Sequence, residues 1–240
     1  MVMRLDFGAI VMKALIRSLV VFFVFVVDVI YRNRSYPRFY VLETIARVPY
    51  FSYLSVLHFY ETIGFWRRSD WLKVHFAETW NEFHHLLIME SLKGDRYWLD
   101  RFIAQHIAIV YYWIVVPLYM LFPRYAYYLM ELIESHAYHT YDKYLQVHEA
   151  ELKAQKAPQV AIDFYRDGDL YMFEEVQTTA EREFRRPKVD NLYDVFVNIR
   201  DDECEHVKTM KALQKPEAKV TFHSPHTIFK VLVANADKSS

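Results

Sequence analysis

Residues 191–213 read NLYDVFVNIRDDECEHVKTMKAL, and residues 69–92 read SDWLKVHFAETWNEFHHLLIMESL. Each stretch has the apolar spacing of a long helix, and each carries Glu-x-x-His: Glu203 with His206, and Glu82 with His85. Residues three apart share a helix face, so each pair can turn a carboxylate and an imidazole towards one point. With 16 Glu and 11 His in 240 residues, about 0.7 such matches arise by chance, so the spacing alone is weak evidence. The order adds more. A helical stretch with a lone glutamate precedes each pair, Glu43 before Glu82 and Glu134 before Glu203. Glu, Glu-x-x-His, Glu, Glu-x-x-His is the supply with which a four-helix bundle holds two iron ions.

The donor types suit that task. Carboxylates are hard anionic donors that can bridge two irons, and imidazole is a borderline donor suited to iron. Four carboxylates nearly offset the charge of two Fe(II) ions, which makes burial tolerable. Asn81 precedes Glu82, and Asp202 precedes Glu203. A carboxylate beside a ligand can accept the free N–H of a ligating histidine from a facing helix and fix its tautomer. Tyr141 lies two turns after Glu134 on the same face, placed for a redox partner. Taken singly, each of these residues reads as an ordinary helix-pair, surface or core residue, and only the set argues for a metal centre.

Composition bounds the rest. Apolar residues make up 53% and aromatics 18%, which excludes disorder. Only 4 glycines are present, too few for a turn-rich sandwich or barrel, so the fold is predicted all-α and a single domain. A net charge of -1 with no basic stripe excludes nucleic acid as a partner. The lone Cys204 can form no internal disulfide, and it reads as a small core residue.

Two segments point to a membrane surface. Residues 14–31 hold the apolar run 19–27, flanked by Lys13, Arg17 and Asp28, too short to span a bilayer. Residues 102–122 lack any Lys, Arg, Asp or Glu and are long enough to span. Gln105, His106, Pro117 and the mid-segment Tyr111, Tyr112 and Trp113 favour a helix lying in one leaflet. The bundle helices are predicted at 39–66, 69–92, 124–153 and 191–213. Residues 32–38 form a break at Pro37, 154–190 a long connection with short helices at 158–165 and 170–182, and 216–240 a tail. The expected architecture is a ferritin-like four-helix bundle with two membrane-interfacial helices.

The surrounding motifs resemble the alternative oxidase family of membrane-bound di-iron quinol oxidases, and most closely its plastid terminal oxidase branch. They are Leu42-Glu43-Thr44, Asn81-Glu82-Phe83-His84-His85, Glu134-Ser135-His136-Ala137-Tyr138-His139-Thr140-Tyr141, and Arg200-Asp201-Asp202-Glu203-Cys204-Glu205-His206. Asp169-Leu170-Tyr171 and the run 191–200 suggest the branch. The likeness covers about 38–213. It implies that Glu43, Glu82, His85, Glu134, Glu203 and His206 bind two Fe ions, supported by Asn81 and Asp202. Tyr141 is implied as a radical or electron donor during O–O cleavage. Arg38, Leu42, Ile133, Ala137 and Thr140 are implied to line a quinol cavity opening to the bilayer. The implied reaction oxidises plastoquinol and reduces O2 to water without pumping protons. The implied setting is a homodimer on one leaflet, on the cytoplasmic or stromal side, the thylakoid membrane being expected.

One departure stands out: related oxidases often have three glutamates where this chain has Glu134-Ser135-His136. The ligand position survives, and His84 and His136 are expected to lie outside the ligand set. The short lead before the first apolar helix suggests a bacterial or phage version, or a trimmed chain. Two other readings compete. One is a quinone-ring hydroxylase or acyl desaturase on the same bundle. The other is a non-enzymatic helical protein at a membrane surface.

Overall fold

The computed structural model describes residues 7–65, 68–171 and 186–215. Among these residues there are eight helices and no strand: α1 Phe7–Ile30, α2 Ser35–Ala46, α3 Val48–Thr62, α4 Ser69–Ser91, α5 Trp98–Leu121, α6 Pro123–Lys153, α7 Gln159–Asp167 and α8 Leu192–Leu213. Helices α2 with α3, α4, α6 and α8 form the bundle, and α6 packs most extensively on α8. Helix α1 lies on α6, α5 lies across α2 and α3, and α7 lies on α4. A single antiparallel bridge, Lys156 with Asn191, brings the connection back to the start of α8. The Asn191 side chain then caps that helix by accepting from the Asp194 N–H at 3.0 Å.

Several boundaries differ from the sequence expectation. The first bundle helix, read as 39–66, is two helices broken at Arg47. Pro49 stands in the first turn of α3, where its missing N–H costs no helical bond. The predicted break at 32–38 is shorter, because Pro37 sits in the first turn of α2 by the same logic and Arg38 is helical. Helix α1 begins at Phe7, seven residues before the predicted start, and α5 begins at Trp98. At the start of α5, Asp100 accepts from Tyr31 Oη at 3.2 Å and pairs with Arg34, which ties the α1–α2 corner to α5. The short helix predicted at 170–182 lies almost wholly outside the described residues, as does the tail. Helix α4 ends with Lys93 left-handed (φ 63°). Gly94 is needed next, since a Cβ there would fall 2.7 Å from Tyr36 O and 2.8 Å from Tyr40 Cβ.

The apolar core has two main clusters. One gathers Phe39, Val41, Leu86, Tyr141, Phe196 and Ile199 with α7. The other gathers Tyr50, Tyr53, Ala77, Tyr127, Met130 and Met210. Along each bundle helix, the glutamate of interest falls between the two: Glu43 between Val41 and Tyr50, Glu82 between Ala77 and Leu86, Glu134 between Met130 and Tyr141, Glu203 between Ile199 and Met210. The polar centre is thus sealed above and below by apolar packing, which excludes water.

The outside of the molecule is different in kind. Helix α1 exposes Leu15, Val21, Phe22, Phe23, Phe25 and Val29, while Ile16 packs beneath it with Tyr128 and Leu129 of α6. Helix α5 exposes Ile109, Val110, Trp113, Ile114 and Leu121. Both are long and apolar enough to cross a membrane, α1 because it runs from Phe7 well beyond the apolar run 19–27 that is too short alone, and only 11% and 17% of their apolar windows are buried. Neither is therefore a core helix, and apolar faces of this extent mark contact with lipid or another apolar surface.

Candidate metal centre

The four glutamates and two histidines meet at the middle of the bundle, each at most 1% exposed. Their ligand atoms form two overlapping groups, Glu43, Glu82, His85 and Glu203, and Glu82, Glu134, Glu203 and His206, within 4.8 Å of one another in each. Glu82 and Glu203 belong to both. His85 Nδ1 lies 3.2 Å from Glu203 and 3.7 Å from Glu43. His206 Nδ1 lies 2.9 Å from Glu82, 3.4 Å from Glu203 and 3.8 Å from Glu134. Two ions sharing two carboxylates fit this donor set, with one unshared carboxylate and one imidazole each.

The polar atoms themselves support that fit. Both oxygens of Glu82 and of Glu203, one oxygen each of Glu43 and Glu134, and Nδ1 of both histidines are buried without a hydrogen-bond partner. Each unpaired buried polar group costs about 1–3 kcal/mol, so such a concentration at one point asks for a cation. Burial, and then the neighbouring carboxylates, push Glu82 and Glu134 well above the usual carboxylate range. Burial raises Glu203 also. Burial drives His85 down, but the carboxylates of Asp202, Glu203 and Glu43 around it outweigh burial and hold it well above the usual imidazole range. Protons held this way are the ones that a divalent metal displaces.

The surrounding residues aim these donors. Asp202 Oδ2 accepts from His85 Nε2 at 3.1 Å, from Asn81 Nδ2 at 3.0 Å and from Tyr165 Oη at 2.9 Å. With its Nε2–H held there, His85 turns Nδ1 to the carboxylates. The Tyr141 hydroxyl donates to Glu43. Its ring stacks on Phe39 at 4.4 Å, and it is fully buried. Tyr50 donates to Glu134 at 2.5 Å. Tyr50 and Tyr165 are not recognisable in the sequence, since a tyrosine after Pro49 and one in the long connection carry no local signal. His84 stacks on Phe164 at 4.0 Å and, like His136, stands outside the two ligand groups.

The residues expected around a quinol fall less neatly. Between α1 and α6 lies an open groove of about 620 Å³, lined by Arg17, Val24, Phe25, Asp28, Leu132 and His136 among others. None of Arg38, Leu42, Ile133, Ala137 and Thr140 forms its wall. Ala137 and Thr140 are buried, and Leu42 and Ile133 half-buried. Two reach the groove through partners: Arg38 is paired with Asp28 at 2.6 Å, and Thr140 Oγ1 lies 3.3 Å from His136 Nε2. The sequence could not place these walls, because they depend on how α1 seats on α6.

A second buried polar group lies one turn towards the start of α4. His75 Nδ1 is 3.0 Å from Glu78 Oε2, His75 Nε2 is 3.0 Å from Tyr127 Oη, and Tyr127 Oη is 2.6 Å from Tyr119 Oη. Burial pushes His75 down to about 3 and Glu78 well above the carboxylate range, so this is a neutral hydrogen bond rather than an ion pair. A folded-state value below the unfolded one means stability present above pH about 6.5 and lost as the pH falls towards 3, on the order of a few kcal/mol. His75→Gln is expected to flatten the fall in urea stability between pH 7 and pH 4.5. An unchanged slope would show that His75 carries no such linkage.

Comparison with known proteins follows the same lines. A family model described as alternative oxidase matches residues 6–215. The chain is 60% identical over 203 residues to ubiquinol oxidase 4, chloroplastic/chromoplastic, of Arabidopsis thaliana, covering 85% of this chain and 57% of that protein. It is 28% identical over 180 residues to mitochondrial ubiquinol oxidases of Glycine max and Mangifera indica, covering 75% of this chain and 48% and 50% of theirs. The chain spans about half the length of the curated relatives it matches.

Proposed function

The chain belongs to the alternative oxidase family, and on that premise we propose that it is a di-iron quinol oxidase, oxidising plastoquinol and reducing O2 to water. The observation that carries this reading is the pair of buried ligand groups sharing Glu82 and Glu203. Glu43 and His85 would hold one ion, Glu134 and His206 the other, and the shared glutamates both. When bound, two irons supply the redox steps of oxygen reduction. The chain's own residues do the rest. The two apolar clusters keep water from the centre. Asp202 fixes the tautomer of His85. Tyr141, hydrogen-bonded to Glu43, is placed to give an electron and a proton together at its hydroxyl.

Plastoquinol is the chosen electron donor because the chloroplastic relative is 60% identical and the mitochondrial ones 28%. In this reading the quinol enters from the bilayer by the groove between α1 and α6. On the same reading Arg38, Leu42, Ile133, Ala137 and Thr140 would form the path of the quinol from the groove to the metals, with Arg38 exchanging Asp28 for the head group. The protein rests on one leaflet, on the stromal face of a thylakoid membrane, through α1 and α5, as a homodimer.

Turnover under labelled O2 with plastoquinol and ubiquinol in parallel tests the reaction. Label in water alone, with the higher rate on plastoquinol, is expected. Label in the organic product would instead establish a hydroxylase. For the membrane contact, each fully buried aromatic contributes about 1.5–3 kcal/mol. Phe22→Ser, Phe23→Ser and Phe25→Ser together should therefore weaken vesicle binding by at least about a hundredfold in a sedimentation assay. Unchanged sedimentation would take α1 out of the anchor.

A further inference from the structure

We propose that Glu78, His75, Tyr127 and Tyr119 form a proton relay that feeds the metal centre from the α3–α5 side of the bundle. The inference rests on the oxygen-reduction reading above, because reducing O2 to water takes up four protons at the centre, the two quinols release four where they are oxidised, and the centre is sealed from water.

The geometry gives the relay a direction. All four residues are at most 2% exposed and come from three helices, α4, α5 and α6. Each adjacent pair is within hydrogen-bond distance, 2.6 Å between the two tyrosine hydroxyls and 3.0 Å at either side of His75. A neutral imidazole has one donor nitrogen and one acceptor. With Tyr127 donating to Nε2, Nδ1–H donates to Glu78 Oε2, and the Glu78 proton resides on Oε1. Oε1 is the one atom of the dyad that is buried with no partner. Glu78 precedes Glu82 by one turn on the same face of α4 and is near enough to Glu134 to feel its charge. The outer end lies at Tyr119, where half-exposed Tyr60 donates to the next carbonyl, Met120 O, at 3.1 Å. Tyr50 and Tyr53 of α3 wall the histidine, with ring centroids 6.3 and 5.0 Å away.

The transfer balances atom by atom. Glu78 Oε1–H breaks as its proton passes to reduced oxygen, whose electrons come from the quinol. The carboxylate then takes the Nδ1 proton of His75, Nε2 takes the Tyr127 proton, and Tyr127 takes that of Tyr119. Tyr119 takes its proton from water at the headgroup level, on the side where half-exposed Tyr60 meets Met120, and a turn of the Glu78 carboxyl and of the imidazole restores the starting arrangement. Each step breaks one O–H or N–H bond and forms another, and no group stays charged. A merely structural network also explains buried hydrogen bonds, but it leaves no reason for a buried acid with a free oxygen one turn from the metals.

Two readouts test the relay, neither needing quinol. Infrared spectra of the resting iron-loaded protein, whose ligand carboxylates are ionised, should contain a protonated carboxyl band that Glu78→Gln removes. Reoxidation of the chemically reduced protein by O2 should slow at least tenfold in Glu78→Gln. The solvent deuterium effect on that rate should change, with iron content unaltered. Tyr127→Phe keeps its ring packing against Trp71 and loses only the hydroxyl, so it serves if Glu78→Gln fails to load iron. Native-rate reoxidation in either loaded variant, or an infrared spectrum that Glu78→Gln leaves unchanged, would overturn the relay. Absence of quinol-driven uptake in the native protein would overturn the quinol reading alone.

Discussion

Glu203→Ala is expected to empty the whole metal centre, whereas Glu43→Ala should empty only part of it. The difference follows from sharing. Glu203 and Glu82 belong to both ligand groups, while Glu43 and Glu134 belong to one each. Bound iron should fall from about two per chain to well below one in Glu203→Ala, and to about one in Glu43→Ala. Oxygen uptake should vanish in the first. Fold stability without metal should move little, within about 1–2 kcal/mol, because the lost packing is offset by removing one of several crowded buried acids. Iron analysis with urea unfolding of the metal-free proteins checks both parts. Full iron content in Glu203→Ala would contradict the shared-ligand arrangement.

Asp202→Asn should have the second-largest effect, although Asp202 touches no metal in this arrangement. Its Oδ2 receives three buried donors, from Asn81, His85 and Tyr165. An amide oxygen accepts two at most, and the amide nitrogen turns donors towards donors. At least one buried N–H or O–H is then left unpaired, costing about 1–3 kcal/mol. His85 also loses the partner that fixes its Nε2–H tautomer, and iron affinity should fall about 10–100-fold. The neighbouring Asp201, paired with Arg200 at 2.8 Å nearer the surface, offers the control. Asp201→Asn should change stability by less than about 0.5 kcal/mol. Equal effects of the two substitutions in an iron titration would remove Asp202 from the support of His85.

The ligand positions were legible because helix periodicity is local. Glu82 with His85 and Glu203 with His206 share faces by spacing alone, and the alternation with Glu43 and Glu134 needs only chain order. The all-helical character followed from composition for the same reason. What stayed hidden depends on tertiary contact. Tyr165 reaches Asp202 across 37 positions, and Tyr127 reaches His75 across 52. His75-x-x-Glu78 reverses the order of the ligand pairs and reads as two unrelated residues until Tyr127 is beside it. The break at Arg47 carried no glycine, and Pro49 is equally consistent with a kink and with a new first turn. The groove between α1 and α6 depends on the seating of an apolar helix whose faces look alike in sequence. Arg38 enters through the family resemblance, and its pairing with Asp28 of α1 is invisible in the sequence because it depends on that seating.

The central claim is that the buried cluster, loaded with two irons, passes quinol electrons to O2. Oxygen uptake by the iron-loaded protein in detergent, driven by plastoquinol, tests it most directly. Two quinols oxidised per O2, no hydrogen peroxide, and no uptake in Glu203→Ala are expected. Two bound irons with no quinol-dependent uptake, or uptake that survives Glu203→Ala, would contradict it.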